Sequence, residues 1–239
     1  MINVDKVYKT LNTIINKENN GYVSPEEFNL IGNTVQLEIF RGYFEDENRD
    51  KNKENRGLTN KGYSNLDFNE RQRIDQFAEE ATLSPNGNFY DLPDDLYFME
   101  DDGLYTVLGE TQEPVVIEEV ERFELGYLQA SIASASETYP IYERFSDRVR
   151  VFPDSISKEI FLRYIRTPKM PKWTAFTLSD GNPVYNPAAI DHQDFELHES
   201  EFPNLVVRIL SYFGINLRES EVVQIAETLK DKNNVKDNG

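Results

Sequence analysis

The sequence predicts an α+β fold in which helices at both ends of the chain flank a small antiparallel β region. Apolar residues recur at helical spacing over residues 4–17 and 25–44, and again after residue 203. Between them, Arg148-Val149-Arg150-Val151 alternates with a period of two, as a half-buried strand does. The 13 Tyr and 15 Phe against one Trp suit strands with many half-buried positions.

We divide the 239 residues into four segments. They are a helical hairpin (1–46), a charged, Asn-rich linker or loop (47–66), a central α+β domain with a β meander or sandwich (67–203), and C-terminal helices with a tail (204–239). No apolar run reaches membrane-spanning length, and the chain contains no cysteine, so we expect no membrane contact and no disulfide framework. The net charge of -18 argues against a protein that grips DNA.

The N-terminal hairpin begins with a helix over residues 4–17, after which Ser24-Pro25-Glu26-Glu27 is a helix start with a capping box. The second helix is apolar over a wide face. An ordinary hairpin core explains that face, and a subunit interface is the alternative. The candidates for such an interface are Ile39, Phe40 and Phe44.

The first part of the central domain predicts a short helix over 68–82 and a turn at 84–87. Two short strands bent at Leu92-Pro93-Asp94 follow, and 104–108 is a further strand. Residues 115–128 begin apolar and then favour a helix. The spacing predicts that one of its faces carries Val120, Phe123 (or Glu124) and Tyr127.

The stretch 139–173 predicts three short antiparallel strands in sequence, closed by an extended segment that ends at Trp173. Pro153-Asp154-Ser155 should end the strand at 148–152, and Pro168 and Pro171 should end the pairing of the next. Basic residues gather here, namely Arg163, Arg166, Lys169 and Lys172. They form either a solvated strand face or, with Trp173, a contact to an acidic neighbouring subunit.

The C-terminal part predicts a helix that opens at Pro203 and stops at Gly214. A last helix over 219–230 has a narrow apolar stripe of Val222, Ile225 and Leu229. A short helix with so little apolar surface is not stable alone, so we expect a partner to cover the stripe.

Motifs of catalysis or cofactor binding are absent from the sequence. It has no Gly-rich phosphate loop and no Gly-x-Ser-x-Gly. Asp46, Asn48 and Asp50 have the spacing of a calcium loop, but Lys51 and Gly57 stand where Gly and Glu are needed. His192 and His198 lie on an irregular acidic segment. We therefore expect no enzyme, no cofactor and no metal. A small acidic hydrolase or carbohydrate-binding protein is the alternative.

Five segments together resemble the neck (head-to-tail connector) ring proteins of tailed bacteriophages, in particular those of crAss-like phages. They are Tyr90-Asp91-Leu92-Pro93-Asp94-Asp95-Leu96, Tyr139-Pro140-Ile141-Tyr142, Val149-Arg150-Val151-Phe152-Pro153, Tyr164-Ile165-Arg166-Thr167-Pro168-Lys169-Met170-Pro171-Lys172-Trp173 and Leu217-Arg218-Glu219-Ser220-Glu221-Val222-Val223-Gln224. The resemblance covers most of the chain from residue 89 onward.

This resemblance implies a structural virion protein assembled in the host bacterial cytoplasm. Identical subunits, about twelve to match the portal, would form a closed ring in the neck. The ring would contact the portal protein and other neck or tail rings, and DNA would pass through its lumen without specific binding. The 219–230 helix and the tail would then dock on another neck protein. A monomeric assembly factor that leaves the virion is a second alternative.

Overall fold

The computed structural model describes residues 1–17, 22–55, 72–108, 113–129, 134–177 and 183–214. It confirms the predicted α+β fold. The chain divides into two compact units, which we call the helical unit (Met1–Arg73 and Pro168–Gly239) and the β unit (Ile74–Thr167). Residues 168–203, predicted as part of the central domain, thus group with the terminal helices.

The longer helices of the described residues are α1 (Val4–Lys17), α2 (Pro25–Asn55), α3 (Arg122–Gln129) and α4 (Phe202–Tyr212). A short 3-10 helix, Glu199–Glu201, precedes α4. The bounds of α1 are those predicted. In contrast, α2 continues to Asn55, so the first part of the predicted loop at 47–66 is helical. The rest of that loop lies outside the described residues.

Capping by side chains explains where α1 and α2 start. The Ser24 hydroxyl accepts the Glu27 amide N–H at 3.3 Å, and the Glu27 carboxylate accepts the Ser24 N–H at 3.1 Å, which confirms the capping box at the start of α2. At the start of α1, the carboxylate of Asp194 accepts the Val4 N–H at 2.8 Å. This capping group is distant in sequence, so it ties the irregular segment before α4 to α1.

The core of the helical unit forms where α4 packs against both α1 and α2. α1 and α2 meet through Tyr8 and Phe28, whose ring centroids are 5.0 Å apart. α4 begins with Pro203 in its first turn, and Gly214, with a φ of 75°, follows its end, as predicted. The buried side chains of α4 are Phe202, Leu205, Val206, Ile209 and Leu210.

Eleven strands are present in the described residues: β1 (Ala78–Leu83), β2 (Pro85–Asn86), β3 (Phe89–Asp91), β4 (Leu96–Leu108), β5 (Glu113–Val116), β6 (Glu118–Glu119), β7 (Ile141–Arg144), β8 (Arg148–Phe152), β9 (Ile160–Arg166), β10 (Ala175–Thr177) and β11 (Pro183–Tyr185). The β unit contains one sheet in the order β1-β9-β4-β5 and another in the order β2-β3-β8-β7-β6. All pairs are antiparallel except β6 with β7. β10 and β11 form a separate hairpin in the helical unit.

A single hydrophobic core receives side chains from both sheets of the β unit. Tyr90, Tyr142, Val149 and Val151 come from one sheet, and Leu104, Ile160, Leu162 and Tyr164 come from the other. This is the alternating inward packing of a two-sheet sandwich. The Tyr90 hydroxyl also lies 2.8 Å from the Lys158 carbonyl oxygen and thus fixes the loop before β9.

Two predictions for the β unit are wrong. Residues 78–82, predicted as part of a helix over 68–82, belong to the strand β1, and of the described residues in that range only 72–75 are helical. Ile74, Phe77 and Ala78, whose spacing predicted the helix, lie across the junction between the short helix and β1. In addition, β9 does not pair with β8 in a meander. β9 lies between β1 and β4 in the other sheet, which suits its high content of Ile, Leu and Tyr.

The predicted C-terminal helix over 219–230, with Val222, Ile225 and Leu229, lies outside the described residues, as does the tip of the β10–β11 hairpin. In the described part of the chain, no helix combines the length and apolarity needed to span a membrane.

Gly103 lies in the β4 irregularity, where the backbone approaches β9. A Cβ added at Gly103 would lie 2.5 Å from the Arg163 carbonyl oxygen and 2.9 Å from that of Glu100. We expect Gly103→Ala to lower the free energy of unfolding of the β unit by about 1–3 kcal/mol. Gly126→Ala is the control: nothing lies within 4 Å of its added Cβ, so stability should stay equal or rise by up to about 1 kcal/mol. Equal denaturant midpoints for both variants would contradict this.

Candidate interaction surfaces

The extended segment Pro168–Trp173, here called the presented segment, is held through its backbone by buried polar side chains. The Lys169 N–H donates to the Glu196 carboxylate at 2.8 Å, and the Lys169 carbonyl accepts from the Gln36 amide at 2.8 Å. The Gln36 amide oxygen also accepts the Glu196 N–H at 2.9 Å. Gln36 is 0% exposed and Glu196 is 5% exposed. α2 and the segment before α4 therefore clamp residue 169 from both sides.

Trp173 anchors the end of the presented segment. Its indole N–H donates to Asp5 of α1 at 3.0 Å, and its ring centroid lies 4.4 Å from that of Tyr8. The Asn29 side chain bonds both to the Trp173 N–H, at 2.7 Å, and to its carbonyl, at 3.1 Å. Trp173 is 5% exposed, so the structure places this predicted contact residue in the core of the helical unit rather than on an open surface.

Three side chains of the presented segment, those of Lys169, Met170 and Lys172, are exposed to solvent. Met170 is 62% exposed, and Lys169 is exposed too. The Lys172 ammonium lies 2.5 Å from the Asp191 carboxylate and holds the pKa of that carboxyl below its usual value. Pro168 and Pro171 are buried. The result is a rigid backbone that presents one thioether and two ammonium groups.

The other predicted basic residues, Arg163 and Arg166, lie on β9 and pair with carboxylates of the neighbouring strand β1. The Arg166 guanidinium lies 2.6 Å from Glu79, and that of Arg163 lies 3.3 Å from Glu80. Arg166 is buried, whereas Arg163 is exposed. These two arginines therefore contribute cross-strand ion pairs to their own sheet.

The candidate contacts on α2 need correction. Ile39 is 3% exposed and Phe40 is 0% exposed, so both belong to the core of the helical unit and offer no surface to a neighbouring subunit. Phe44 is half-buried, with its ring centroid 5.2 Å from that of Phe40. The apolar residue that α2 does expose is Leu30, at 71%.

Two of the side chains that the spacing placed on one face of α3 are exposed. Phe123 is 66% exposed and Tyr127 is 79% exposed, whereas Leu125 and Leu128 pack against a small core that includes Val120. Arg122 fixes the start of the helix, because its guanidinium lies 2.7 Å from the buried carboxylate of Glu143 on β7. Phe123 and Tyr127 thus share one face of the helix, as predicted, but it is the exposed face, whereas Val120 is buried.

An open groove of about 530 Å³ lies beside the presented segment, between the start of α2 and the β10–β11 hairpin. Its lining includes Asn29, Lys172 and Trp173, and its carboxylates are Glu26 and Asp191. For Glu26 and Asp191 to act as the acid and base of a hydrolase, the Asp191 carboxylate would first have to separate from the Lys172 ammonium.

The two histidines have local roles. His198 Nδ1 accepts the Ser200 N–H at 3.2 Å and caps the 3-10 helix. His192 Nε2 lies 2.6 Å from the Tyr185 hydroxyl and 3.9 Å from Asp194, the carboxylate that caps α1. Among the described residues, no group of three or more His, Cys, Asp or Glu side chains is arranged to hold a metal ion.

Chelation tests the prediction that the fold needs no metal. We expect the thermal midpoint of the full chain to be the same with and without EDTA, because a bound ion would stabilise only the folded state. A fall of several degrees with EDTA, reversed by calcium or zinc, would contradict it.

Comparison with known proteins identified no relative of the chain. No model of a protein family matches it, and no curated protein sequence does either.

Proposed function

We propose that this chain is a structural virion protein, one subunit of a homo-oligomeric ring in the neck of a tailed bacteriophage. The observation that carries the proposal is the presented segment. It belongs to the longest motif of the resemblance, and its backbone is clamped by Gln36 and Glu196 while Lys169 and Met170 face solvent. A backbone fixed in advance loses little conformational entropy on binding, so such a segment suits contact with another protein.

Three further motifs of the resemblance, 90–96, 139–142 and 149–153, lie in the described residues, and each contributes a side chain to the core of the β unit. Tyr90 is buried in the core of the β unit, and the Asp95 carboxylate accepts the Tyr164 hydroxyl at 3.1 Å. Tyr142 and Val151 lie in the same core. Residues with these roles stabilise a fold and do no chemistry on a substrate. This supports a structural protein over the acidic hydrolase or carbohydrate-binding alternative.

The charge of the chain also supports this role. With a net charge of -18, such subunits have enough acidic side chains to line the lumen of a ring, where they would repel phosphate and let DNA slide without being held. The ring partners are further copies of this chain, the portal protein and the adjoining neck or tail rings. The site of action is the neck of the virion.

Removing the gene from the phage that encodes the chain tests the proposal. We expect DNA-filled heads and separate tails that do not join, and restoration of infectious particles when the chain is supplied in trans. Normal tailed particles that lack the chain would contradict the proposal. Joined particles that need the chain during assembly but do not contain it would identify the alternative, a factor that leaves the virion.

A further inference from the structure

The outer face of α3 is an apolar surface with an acidic surround. Phe123 and Tyr127 are four residues apart, so they lie on the same face of the helix. Gly126 adds no side chain to that face, and the space around it is open within 4 Å. Leu125 and Leu128 hold the opposite face in the β unit, so the two rings are presented from a fixed helix.

The charged residues next to α3 in the sequence are mostly negative. Glu118, Glu119, Glu121 and Glu124 are all exposed. Arg122 is the single basic residue of 113–129, and its guanidinium is bound to the Glu143 carboxylate. A partner of this face should therefore combine an exposed apolar group with positive charge.

The presented segment has that complementary chemistry. Residues 167–177 contain no carboxylate, and the adjacent residues Lys169 and Met170 are both exposed. Methionine sulfur packs well against aromatic rings, and an ammonium group is attracted to the face of a tyrosine ring. The outer face of α3 and the presented segment occur on the same chain. A second copy of the chain can therefore offer the presented segment to α3, and α3 to the presented segment.

We propose that the outer face of α3 in one copy packs against Lys169 and Met170 of the next copy, head to tail. Phe123 and Tyr127 enclose the Met170 thioether, and Glu124 faces the Lys169 ammonium at the rim. A contact between two α3 helices would instead bring the carboxylates of Glu121 and Glu124 against their own copies, which is unfavourable. The inference rests on the proposed ring, because a contact between different surfaces generates a closed ring when the rotation closes.

The test uses two full-length variants, each of which disables one surface. Phe123→Ser with Tyr127→Ser removes the rings of α3, and Met170→Asp places a carboxylate where the acidic helix must dock. Leu30→Ser is the control, because Leu30 is a similarly exposed apolar residue on α2. Circular dichroism establishes that each variant is folded, and sedimentation velocity measures its assembly state.

We expect the wild type and Leu30→Ser to sediment as the same oligomer and the two variants to sediment as folded monomers. An equal mixture of the two variants should give dimers and nothing larger. In each dimer, the intact α3 of the Met170→Asp chain binds the intact presented segment of the chain with Phe123→Ser and Tyr127→Ser. The other two surfaces carry the substitutions, so neither can bind a third chain. Only a head-to-tail contact gives this result.

Three results would overturn the inference: oligomers in either single variant, no dimer in the mixture, or loss of assembly in Leu30→Ser as well. A wild-type chain that stays monomeric would overturn it too. None of these concerns whether the chain belongs to the neck of the virion. If the gene deletion separates heads from tails while the surface variants assemble normally, the proposed function stands and the contact is elsewhere.

Discussion

Ile39→Glu should prevent the helical unit from folding, rather than leave a folded monomer that fails to assemble. Ile39 is 3% exposed and lies on α2 within the core of the helical unit. A carboxylate buried there has no partner, and the expected loss is roughly 4 kcal/mol or more, a large part of the stability of a small domain.

The fluorescence of Trp173 measures this loss in the helical unit alone. Trp173 is the single tryptophan of the chain and lies against Tyr8 of α1. Leu30→Glu is the matched control, since it makes the same change on the same helix at a residue that is 71% exposed. The control should unfold at the wild-type denaturant concentration. Native fluorescence and circular dichroism in Ile39→Glu would mean that Ile39 is accessible to a partner after all.

Gln36→Leu should destabilise the helical unit and release the presented segment. The substitution leaves the Lys169 carbonyl and the Glu196 N–H without the amide that now bonds to both. Each buried group left unsatisfied costs roughly 1–3 kcal/mol, and a leucine of similar size leaves no room for water to replace the amide. Hydrogen exchange of residues 165–173 should therefore become faster than in the wild type.

Gln193→Leu is the control for Gln36→Leu, because it makes the same substitution at a half-buried glutamine whose side chain donates to a neighbouring backbone carbonyl. We expect a much smaller change in stability and unchanged exchange over 165–173. Equal destabilisation by the two variants, with unchanged exchange in both, would show that the Gln36 clamp does not hold the segment.

Features that depend on local interactions could be predicted from the sequence. The capping box of Ser24 and Glu27 and the stop at Gly214 each depend on residues a few positions apart. The interactions that cause them lie within about one turn of helix. The same holds for the end of β8 at Phe152, where a proline follows.

Pairing between distant residues could not be predicted in this way. The spacing of Ile74, Phe77 and Ala78 predicted a helix where β1 forms. The ion pairs of Glu79 and Glu80 with β9 join residues more than 80 positions apart, so local spacing does not reveal them. The position of β9 in the other sheet has the same cause. The inner face of α3 depends on whether Phe123 or Leu125 meets β7 and β8, and periodicity over eight residues cannot decide that.

Some of the predicted contact residues are exposed and others are buried. The sequence identified the basic segment with Lys169 and Lys172, but it also included Ile39, Phe40 and Trp173, which are buried. Exposure of a large apolar residue depends on the whole fold, so the pattern alone cannot separate a core face from a contact face. No local signal marked Gln36, because a polar residue on a helix is ordinarily on the solvent side.

The number of copies of this chain in purified tailed particles tests the central claim most directly. Quantitative mass spectrometry can compare its peptides with those of the portal subunit in the same sample. A ring matched to the portal predicts one copy of this chain for each portal subunit, in mature particles as well as in particles emptied of DNA. A chain that is absent from purified particles, or present at a small fraction of the portal copy number, would contradict the claim.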